Sequence, residues 1–525
     1  MNWYSLIKFY TILPLCLVIP CSEGANILAF LPSSSPSHLV SQMAVVKEMA
    51  QRNHNVTVVS VLPLKSEWLH PSITYIKLDR GHFDMYLAMK AITNFNLARI
   101  WDLMQFYEDT TLSLADCLED PQMLELRNNS GNNFDLILYG YIFGDFFFGL
   151  GEHFDCPVAL LWSNVPLGYV MRLIGNPYEI SYSIVSMLNL ATHPTGFRFR
   201  LNNVLTLGVD FVTTAVREYM ERSIYEKHFP SDRYASYEKA KERVTMVLFS
   251  HHFSEKPVRP LVPGLIEIGG IHLNEEPKPL PKDIEDFVTS AKHGVIFFSL
   301  GTNVKTTHLQ PQTLEKIYNV LSKLPQKVLW KCDDESKVPG NSSNILFRKW
   351  MPQADILGHP NVKLFFGHGG KGGITEAKFY GVPMVGLPIF GDQPMNMEEV
   401  VQKAYGLSLN HDRTLSEELI LNAVKEVLEN NTYTNNVKKF SNLYRDRPLK
   451  IKDNAVYWLE YLIRYKGAPH LQSPLKTMSF VEANNLDVFA CLFVGLYLVF
   501  QIMKFSAKLV FRLVCGTSRQ KTKKD

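Results

Sequence analysis

Cysteine is scarce in this sequence, and neither sign of charge is in large surplus. The 525 residues include 7 cysteines, and 54 lysine and arginine residues stand against 51 aspartate and glutamate residues. So few cysteines in a chain of this length exclude a disulfide-framework protein. The balanced charge excludes an acidic disordered chain and a basic nucleic-acid-binding arm, so we expect no nucleic-acid partner. With 46% hydrophobic residues, the chain is expected to fold around large apolar cores.

Long apolar runs are confined to the two ends of the chain. Near the start, Lys8 precedes an apolar run over residues 9–19, and Ser22 and Gly24 follow at a spacing that signal peptidase accepts. We predict a signal peptide over residues 1–24. An uncleaved anchor is the alternative, although the run is shorter than the roughly 20 residues of a spanning helix. Near the end, residues 488–503 carry no charge, which predicts a transmembrane segment over residues 486–511.

The charges that follow this segment predict its orientation. The tail, residues 512–525, is strongly basic, so the positive-inside rule places it in the cytosol and the body of the chain in the lumen. Lys521 and Lys523 resemble a dilysine retrieval signal, although a plain basic flank is the alternative. We therefore expect a single-pass type I protein of the endoplasmic reticulum membrane. Four sequons agree with a luminal glycoprotein: Asn55, Asn128, Asn341 and Asn430.

A proline-rich polar segment divides the body of the chain. Residues 274–282 (NEEPKPLPK) can form neither a helix nor a central strand. We predict a linker there, between an N-terminal domain over residues 25–273 and a C-terminal domain over residues 283–450. Helices over residues 451–485 are expected to return towards the N-terminal domain. Both domains open with an apolar strand, a loop and a helical pattern, which is typical of α/β folds with parallel sheets.

The first strand of the N-terminal domain leads to a candidate reactive histidine. Residues 26–31 are followed by a loop and by a helix whose predicted N-cap is Ser37, so that His38 falls in the first helical turn. Ligands of open α/β sheets bind at the carboxyl ends of the strands, where this turn is expected to lie. From position alone, His38 is either a reactive imidazole or an ordinary solvated or capping histidine.

The C-terminal domain contains a glycine-rich turn. Residues 367–373 (GHGGKGG) lie between a predicted strand, 362–366, and a predicted helix, 374–380, that ends at Gly381. Five glycines in seven positions favour the close approach of backbone N–H groups to an anion at the helix N-terminus, which predicts a diphosphate site. The turn does not fit the P-loop pattern. It does satisfy GxGxxG, which keeps a dinucleotide site as a rival.

Residues on both sides of this turn fall in register with a known signature. They are Trp350, Gln353, His368, Gly369, Gly370, Glu376, Gly381, Val382, Pro383, Pro388, Asp392, Gln393 and Asn396. With them, the chain resembles the UDP-glycosyltransferase family, in particular its membrane-bound animal UDP-glucosyl- and UDP-glucuronosyltransferases. The resemblance covers essentially the whole chain. It implies an α/β fold of the GT-B type, with two Rossmann-like domains facing across a cleft, plus one C-terminal transmembrane helix.

The resemblance also implies a role for each donor-site residue. Trp350 would stack on uracil, Gln353 would pair with the base or ribose, and Glu376 would accept from ribose hydroxyls. The diphosphate would be held by His368, the amides of Gly369 and Gly370, and Thr302, and the sugar by Asp392 and Gln393. Taken singly, each residue has an ordinary interpretation, such as core packing or a turn. The joint pattern is what favours a site.

By the same resemblance, His38 is the general base that removes the proton of the acceptor hydroxyl in a single inverting displacement. Family members orient this histidine with an aspartate, whereas Gly140 aligns with that position. Asp145 could take over the role from the next helical turn, His38 could act alone, or Asp145 could be an ordinary helix N-terminal residue. Gly372 also departs from the family, which often has asparagine there.

These residues lead to one expected function and one alternative. We expect an inverting glycosyltransferase that moves a hexose, glucose in our expectation, from a UDP-sugar to a hydroxyl of a small lipophilic acceptor, in detoxification. The UDP-sugar is a co-substrate, and we expect no metal and no other cofactor. The alternative is a catalytically weak protein of the same fold that binds a UDP-sugar or a hydrophobic ligand. The lipid bilayer is a further partner, and a homo-oligomer is left open.

Two electrostatic expectations follow. The basic tail accounts for more than the whole net charge of +3, which leaves the body of the chain mildly acidic. Attraction for a UDP-sugar is therefore expected to come from the glycine turn alone. Arg259 is expected either to pair with a phosphate or a uronate carboxylate, or to form a surface ion pair.

Overall fold

The computed structural model describes residues 24–84, 100–184, 186, 196–255, 257–304 and 308–519. The predicted signal peptide before Gly24 lies outside these residues, as does the end of the basic tail with its dilysine pattern.

The N-terminal domain is built on a parallel seven-stranded sheet with the order β3-β2-β1-β4-β5-β6-β7. Its strands are β1 Asn26–Leu31, β2 Asn55–Ser60, β3 Ile73–Lys77, β4 Leu136–Tyr139, β5 Val158–Trp162, β6 Val244–Phe249 and β7 Leu265–Glu267. Its helices are α1 Pro36–Gln51, α2 Ile100–Ala115, α3 Pro121–Asn128, α4 Gly149–His153, α5 Gly168–Ile174, α6 Gly196–His228 and α7 Tyr237–Ala240. The central strands are almost continuously apolar because buried clusters cover both faces of the sheet.

The C-terminal domain has a parallel six-stranded sheet with the order β10-β9-β8-β11-β12-β13. Its strands are β8 Val295–Ser299, β9 Lys327–Lys331, β10 Ile345–Arg348, β11 Val362–Gly367, β12 Met384–Gly386 and β13 Gly406–Ser408. Its helices are α8 Lys282–Thr289, α9 Pro311–Leu321, α10 Gln353–Leu357, α11 Lys371–Tyr380, α12 Gln393–Gln402, α13 Glu417–Glu429 and α14 Asn431–Arg445. Two parallel sheets in two α/β units confirm that part of the predicted fold class.

The last helices return from the C-terminal domain to the N-terminal domain and end in a long apolar helix. Helix α15, Ile451–Arg464, follows the C-terminal domain but packs against α1, and its Leu459 shares a buried cluster with Leu39 of α1. After α16, Phe480–Ala483, the helix α17 spans Leu486–Arg519. By length and composition, Leu486–Val514 could cross a membrane, and none of its most apolar window is buried in the protein. This candidate span is slightly longer than the predicted one.

Two helices begin earlier than predicted. Helix α1 begins at Pro36 with Ser35 as its N-cap, so the prediction that Ser37 is the N-cap is wrong. Proline is favoured at the first helical position because its missing N–H would have no helical partner. Helix α11 begins at Lys371 rather than at residue 374. Gly372 therefore belongs to the first helical turn, and the turn that precedes the helix is shorter than predicted.

Candidate active site

The candidate site lies where the carboxyl ends of the two sheets meet. The hydroxyl of Ser35, at the start of α1, lies 3.0 Å from the amide nitrogen of Asn303 in the loop after β8. The amide of Asn164, after β5, donates to the carboxylate of Asp392 over 3.2 Å. Parallel sheets present their strand carboxyl ends at one edge, and here the two edges face each other. The residues predicted for donor and acceptor sites therefore share one cleft.

His38 lies in the first turn of α1, on the N-terminal side of this cleft. Its Nδ1 is 3.3 Å from the hydroxyl oxygen of Ser33, and the same oxygen accepts from the N–H of Ser35 over 3.1 Å. Burial lowers the pKa of His38 to about 4. At neutral pH the imidazole is thus uncharged. If Nδ1 carries the ring proton and donates a hydrogen bond to the Ser33 hydroxyl, Nε2 is left as a proton acceptor.

The space beside Gly140, at the end of β4, is filled by Gln42 from α1. A Cβ atom added to Gly140 would lie 2.8 Å from both amide heteroatoms of Gln42. Gln42 is buried, and its two amide heteroatoms have no hydrogen-bond partner in the described structure. It also lines a small cavity that is large enough for about one water molecule. An aspartate at position 140 would therefore require Gln42 to move.

Asp145 does not take the place of that aspartate. It lies in a 3-10 turn, Asp145–Phe148, where its buried carboxylate accepts from the hydroxyl of Tyr141 over 2.6 Å and lies 3.7 Å from the guanidinium of Arg217. The prediction that Asp145 orients His38 is corrected by these contacts. Arg217 is almost completely buried, so it requires anionic neighbours, and both Asp145 and Glu221 serve that purpose.

The glycine turn is shaped by the ring of His368. A Cβ atom at Gly301 would lie 2.5 Å from Cε1 of His368, and one at Gly370 would lie 2.5 Å from Nε2. Gly369 has φ +80°, in the left-handed region that favours glycine. The backbone thus holds the imidazole at the N-terminus of α11, whose first N–H groups have no helical partner. This arrangement can bind an anion.

His368 itself has an unsatisfied buried nitrogen. Its Nδ1 has no hydrogen-bond partner among the described residues. Burial, together with the nearby charge of Lys331, lowers the pKa of His368 to about 4. The ring is therefore neutral in the structure as described. An anionic oxygen placed against this ring would favour its protonated form.

Glu376 already carries two protein partners. Gln353 donates its amide to one carboxylate oxygen of Glu376, and Nε2 of His272 lies 3.1 Å from the other. The structure thus brings the predicted Gln353 and Glu376 together. His272 is a further site residue that the sequence analysis missed. Its only signal was its position just before the linker. A carboxylate has about four acceptor directions, so ribose hydroxyls could still bind.

Two lysines that the sequence analysis missed surround the indole of Trp350. The ammonium of Lys65 lies 3.6 Å from the centroid of one Trp350 ring, and that of Lys331 lies 5.4 Å from it. Lys331 ends β9 and donates to the carbonyl of Gly301. Burial, with the charge of Lys65 next, lowers the pKa of Lys331 to about 8. Lys331 is a second cation close to the glycine turn, and the expectation that the turn alone attracts a phosphate stays a prediction. The sequence signal available for Lys331 was its position at the end of a strand in the C-terminal domain.

Asp392 and Gln393, the two residues predicted to bind the sugar, make different contacts. The carboxylate of Asp392 accepts from Asn396 over 2.8 Å, and Asn396 also donates to the carbonyl of Gly369 over 3.1 Å. Asp392 is thus tied to the glycine turn and remains at the cleft. The side-chain oxygen of Gln393 instead accepts from the backbone of Ile389 and Phe390, so it holds its own loop. The prediction that Gln393 binds sugar hydroxyls is corrected for that oxygen.

The remaining predicted contacts are Thr302 and Arg259. Thr302 lies, partly buried, in the loop after β8, beside Gly301. Arg259 forms no ion pair with any residue that the structure describes. Its guanidinium is largely buried and donates to the carbonyls of Pro166 over 3.2 Å and Ile184 over 3.5 Å. Burial lowers the pKa of Arg259 to about 10. Within the described ranges, no group of three or more His, Cys, Asp or Glu side chains forms a candidate metal site.

Comparisons with known proteins bear on this site. The family model for UDP-glucoronosyl and UDP-glucosyl transferase matches residues 28–521. UDP-glycosyltransferase UGT4 of Dactylopius coccus is 34% identical over 90% of this chain and 92% of its own length. UDP-glucuronosyltransferase 2B13 of Oryctolagus cuniculus is 31% identical over 98% of this chain and 99% of its own length.

Solved structures agree on the architecture. The glycotransferase of kitacinnamycin is similar with a TM-score of 0.54 at 17% identity, covering 84% of this chain and 99% of that one. CalG4, the calicheamicin glycosyltransferase, is similar with a TM-score of 0.52 at 16% identity, covering 85% and 99%. At such identities the likeness shows the fold alone, and it confirms the predicted GT-B arrangement.

Proposed function

The chain belongs to the UDP-glucuronosyl and UDP-glucosyl transferase family, and from this premise we propose that it moves a hexose from a UDP-sugar to a hydroxyl of a small lipophilic acceptor. Glucose is the hexose that we propose, and the displacement inverts the anomeric carbon. The supporting observation is that a neutral imidazole, His38, and the anion-binding turn around His368 lie in one cleft, joined by the contact of Ser35 with Asn303.

His38 is the proposed general base. A neutral imidazole with a free Nε2 can take the proton of the acceptor hydroxyl as that oxygen attacks the anomeric carbon. Ser33, as acceptor of the Nδ1 proton, would hold the ring in the productive tautomer. Since no carboxylate among the described residues supports the imidazolium, this base is weaker than one paired with an aspartate.

The C-terminal domain is proposed to hold the donor and to stabilise the leaving group. Trp350 offers a half-exposed indole face to the base, and Gln353 and Glu376 offer polar groups to the nucleoside. His368, the first amides of α11 and Lys331 would neutralise the negative charge that grows on UDP as it leaves. Asp392, which Asn396 holds beside the turn, would accept from the sugar hydroxyls.

A second candidate function is a binding protein of the same fold with weak catalysis. The observation that favours it is the pair of Gly140 and Gln42, which leaves His38 without a carboxylate partner. The donor side of the cleft would be unaffected. UDP-sugar binding would then persist without turnover.

One assay separates the two candidates. Membranes that carry the full chain are incubated with UDP-glucose or UDP-glucuronate and a panel of phenols, and UDP release is measured. We expect turnover with the wild type and its loss in His38→Ala. Ser37→Ala is the matched control, because Ser37 lies in the same turn and its hydroxyl faces Ser35. Absence of donor consumption with every acceptor, while UDP still binds, would establish the binding protein instead.

The proposal extends to location. We propose a single-pass type I protein of the endoplasmic reticulum membrane with its catalytic domains in the lumen. The apolar α17 and the similarity to animal UDP-glucuronosyltransferases support it. In sealed microsomes, an epitope at the C-terminus should be cut by added protease while the body is protected. The body should also shift in mass after peptide N-glycosidase F treatment. Protection of the epitope would reverse the proposed orientation.

A further inference from the structure

Helix α6 exposes an apolar face on the outside of the N-terminal domain, without a partner among the residues that the structure describes. We call it the outer stripe, and its exposed members are Phe197, Leu201, Val204, Leu205, Val212, Val216 and Tyr219. At 100° per residue these positions fall within one arc of the helix. The stripe is about 33 Å long at a rise of 1.5 Å per residue.

From Leu201 onwards the arc is uninterrupted by charge, whereas Arg198, near its start, lies at the edge of the arc on the line of Val216. From Leu201 to Tyr219 the charged residues of α6 are Asp210, Arg217 and Glu218, and all three fall on other faces. The remaining positions within the arc are Gly208 and Ala215, which are small and exposed. The opposite face is buried in the domain. A soluble surface rarely leaves so long a row of apolar side chains in water.

The outer stripe lies close to the point where the chain meets its candidate membrane span. Phe211, at the edge of the stripe, packs edge-on against Phe480 of α16, with ring centroids 5.3 Å apart. Helix α17 begins at Leu486, six residues after Phe480. Six residues reach at most about 20 Å. The stripe is therefore continuous with the surface from which the span departs.

A neighbouring helix adds an aromatic side chain of the kind found at membrane interfaces. Helix α2 packs against α6 and exposes 78% of Trp101. Tyr219, at the end of the stripe, is 79% exposed. Tryptophan and tyrosine are enriched where the headgroup layer meets the hydrocarbon, because one end of each ring is apolar and the other is polar.

We propose that the outer stripe of α6 lies in the interfacial layer of the same bilayer that α17 spans. The N-terminal domain then has a second, peripheral contact with the lipid. Because α17 tethers the domain, the outer stripe has a high effective concentration at the bilayer surface. Thr213 and Arg217, on the buried face of α6, line a small cavity together with Tyr107 of α2. Helix α6 thus separates this cavity from the lipid. The inference does not depend on the proposed catalysis.

Photocrosslinking of the full chain tests this contact. p-Benzoylphenylalanine is placed at Val212 of the stripe, or at Leu443 of α14 as a control that is similarly exposed, at 53% against 61%. Each protein is reconstituted in phosphatidylcholine nanodiscs, irradiated and analysed by mass spectrometry. We expect several-fold more lipid adducts at Val212 than at Leu443. Equal adduct yields at the two positions would overturn the proposal.

The same irradiation tests the competing occupant. A second copy of the chain on the stripe would give crosslinked dimers from Val212 without lipid adducts, which would also overturn the proposal. A charge variant adds a further test. With the probe at Leu205, Val212→Glu should reduce the lipid adducts several-fold, whereas Leu443→Glu should not. UDP binding by each variant shows that the fold is retained.

Discussion

At the scale of single residues, the site differs from its family pattern around His38. Ser33 contacts Nδ1 of His38, and Gln42 fills the space beside Gly140. A neutral hydroxyl can fix the tautomer of an imidazole, but it cannot offset the charge of an imidazolium as a carboxylate does. The base that we propose therefore has a fixed tautomer but weak electrostatic support.

The hydroxyl of Ser33 is expected to matter for turnover and not for binding. We predict that Ser33→Ala lowers kcat by about 2- to 12-fold, because one hydrogen bond contributes about 0.5–1.5 kcal/mol and 1.4 kcal/mol is tenfold. KM for the donor should not change. Steady-state kinetics measure both constants, with Ser37→Ala as the control. A kcat equal to wild type would show that Ser33 does not position His38.

A carboxylate can be restored at position 140 only if Gln42 is shortened. We predict that Gln42→Ala combined with Gly140→Asp raises the pKa of His38, since a nearby negative charge favours the imidazolium. Activity is lost as pH falls through the pKa of the base, so the acid limb of kcat/KM should move from about pH 4 to higher pH. Gly140→Asp alone, which collides with Gln42, is the control. An unchanged limb in an active double variant would contradict the prediction.

The location of His38 could be predicted from the sequence, whereas its partners could not. A strand, a short loop and a helix place His38 at the carboxyl edge of the sheet whatever the side chains do. The contact with Ser33 depends on the loop path and on side-chain rotamers. The overlap of Gln42 with Gly140 depends on the packing of α1 against β4, which no local pattern displays. The same holds for Asp145, whose partner Arg217 is distant in the chain.

At the scale of elements, the strand β11, the glycine turn and α11 form the core of the proposed donor site. The sequence predicted the strand and the helix, and Gly381 ends the helix in the left-handed conformation. The helix start was misplaced because Gly372 and Gly373 were assigned to the turn. Glycine disfavours a helix by only about 1 kcal/mol. Two glycines are therefore tolerated in the first turn of α11, where the backbone must stay open to a ligand.

Two glycines of this element are expected to respond differently to alanine. A methyl group at Gly370 would overlap the His368 ring, whereas one at Gly372 meets no atom within 4 Å. We predict that Gly370→Ala weakens UDP binding by about tenfold, which equals 1.4 kcal/mol, by displacing that ring. Gly372→Ala should leave UDP binding unchanged. Calorimetric titration of the full chain with UDP measures both. Equal effects of the two substitutions would show that the ring position does not control the diphosphate site.

At the scale of the whole molecule, a buried ion cluster joins the two domains. The carboxylate of Glu255, in the N-terminal domain, is bonded to Lys378 and lies 3.1 Å from the ammonium of Lys371, both in α11. Burial alone would raise the pKa of Glu255, but Lys371 and Lys378 outweigh it and hold that pKa well below its usual range. The sequence could predict two domains, but not this contact, because its members are more than a hundred positions apart.

This cluster is expected to set the stability of the closed cleft. We predict that Glu255→Gln destabilises the protein by about 3 kcal/mol, because Lys371 loses its buried carboxylate and Lys378 keeps only that of Glu399, 3.3 Å away. In thermal unfolding of the full chain in nanodiscs, the melting temperature should fall by at least about 5 °C. The depressed pKa means that the wild type keeps this contribution above pH 4.5, the ordinary value for glutamate, and loses it as pH falls further. The difference between wild type and variant should therefore shrink in acid.

Asp453→Asn is the matched control for this prediction. Asp453 of α15 pairs with Arg52, the residue that follows α1, but both side chains are about half exposed, so water already screens the pair. Its loss should leave the melting temperature nearly unchanged. If Glu255→Gln were as mild as Asp453→Asn, the two domains would be held by their apolar contacts and by α15. The cluster on α11 would then have no part in keeping His38 opposite the donor turn.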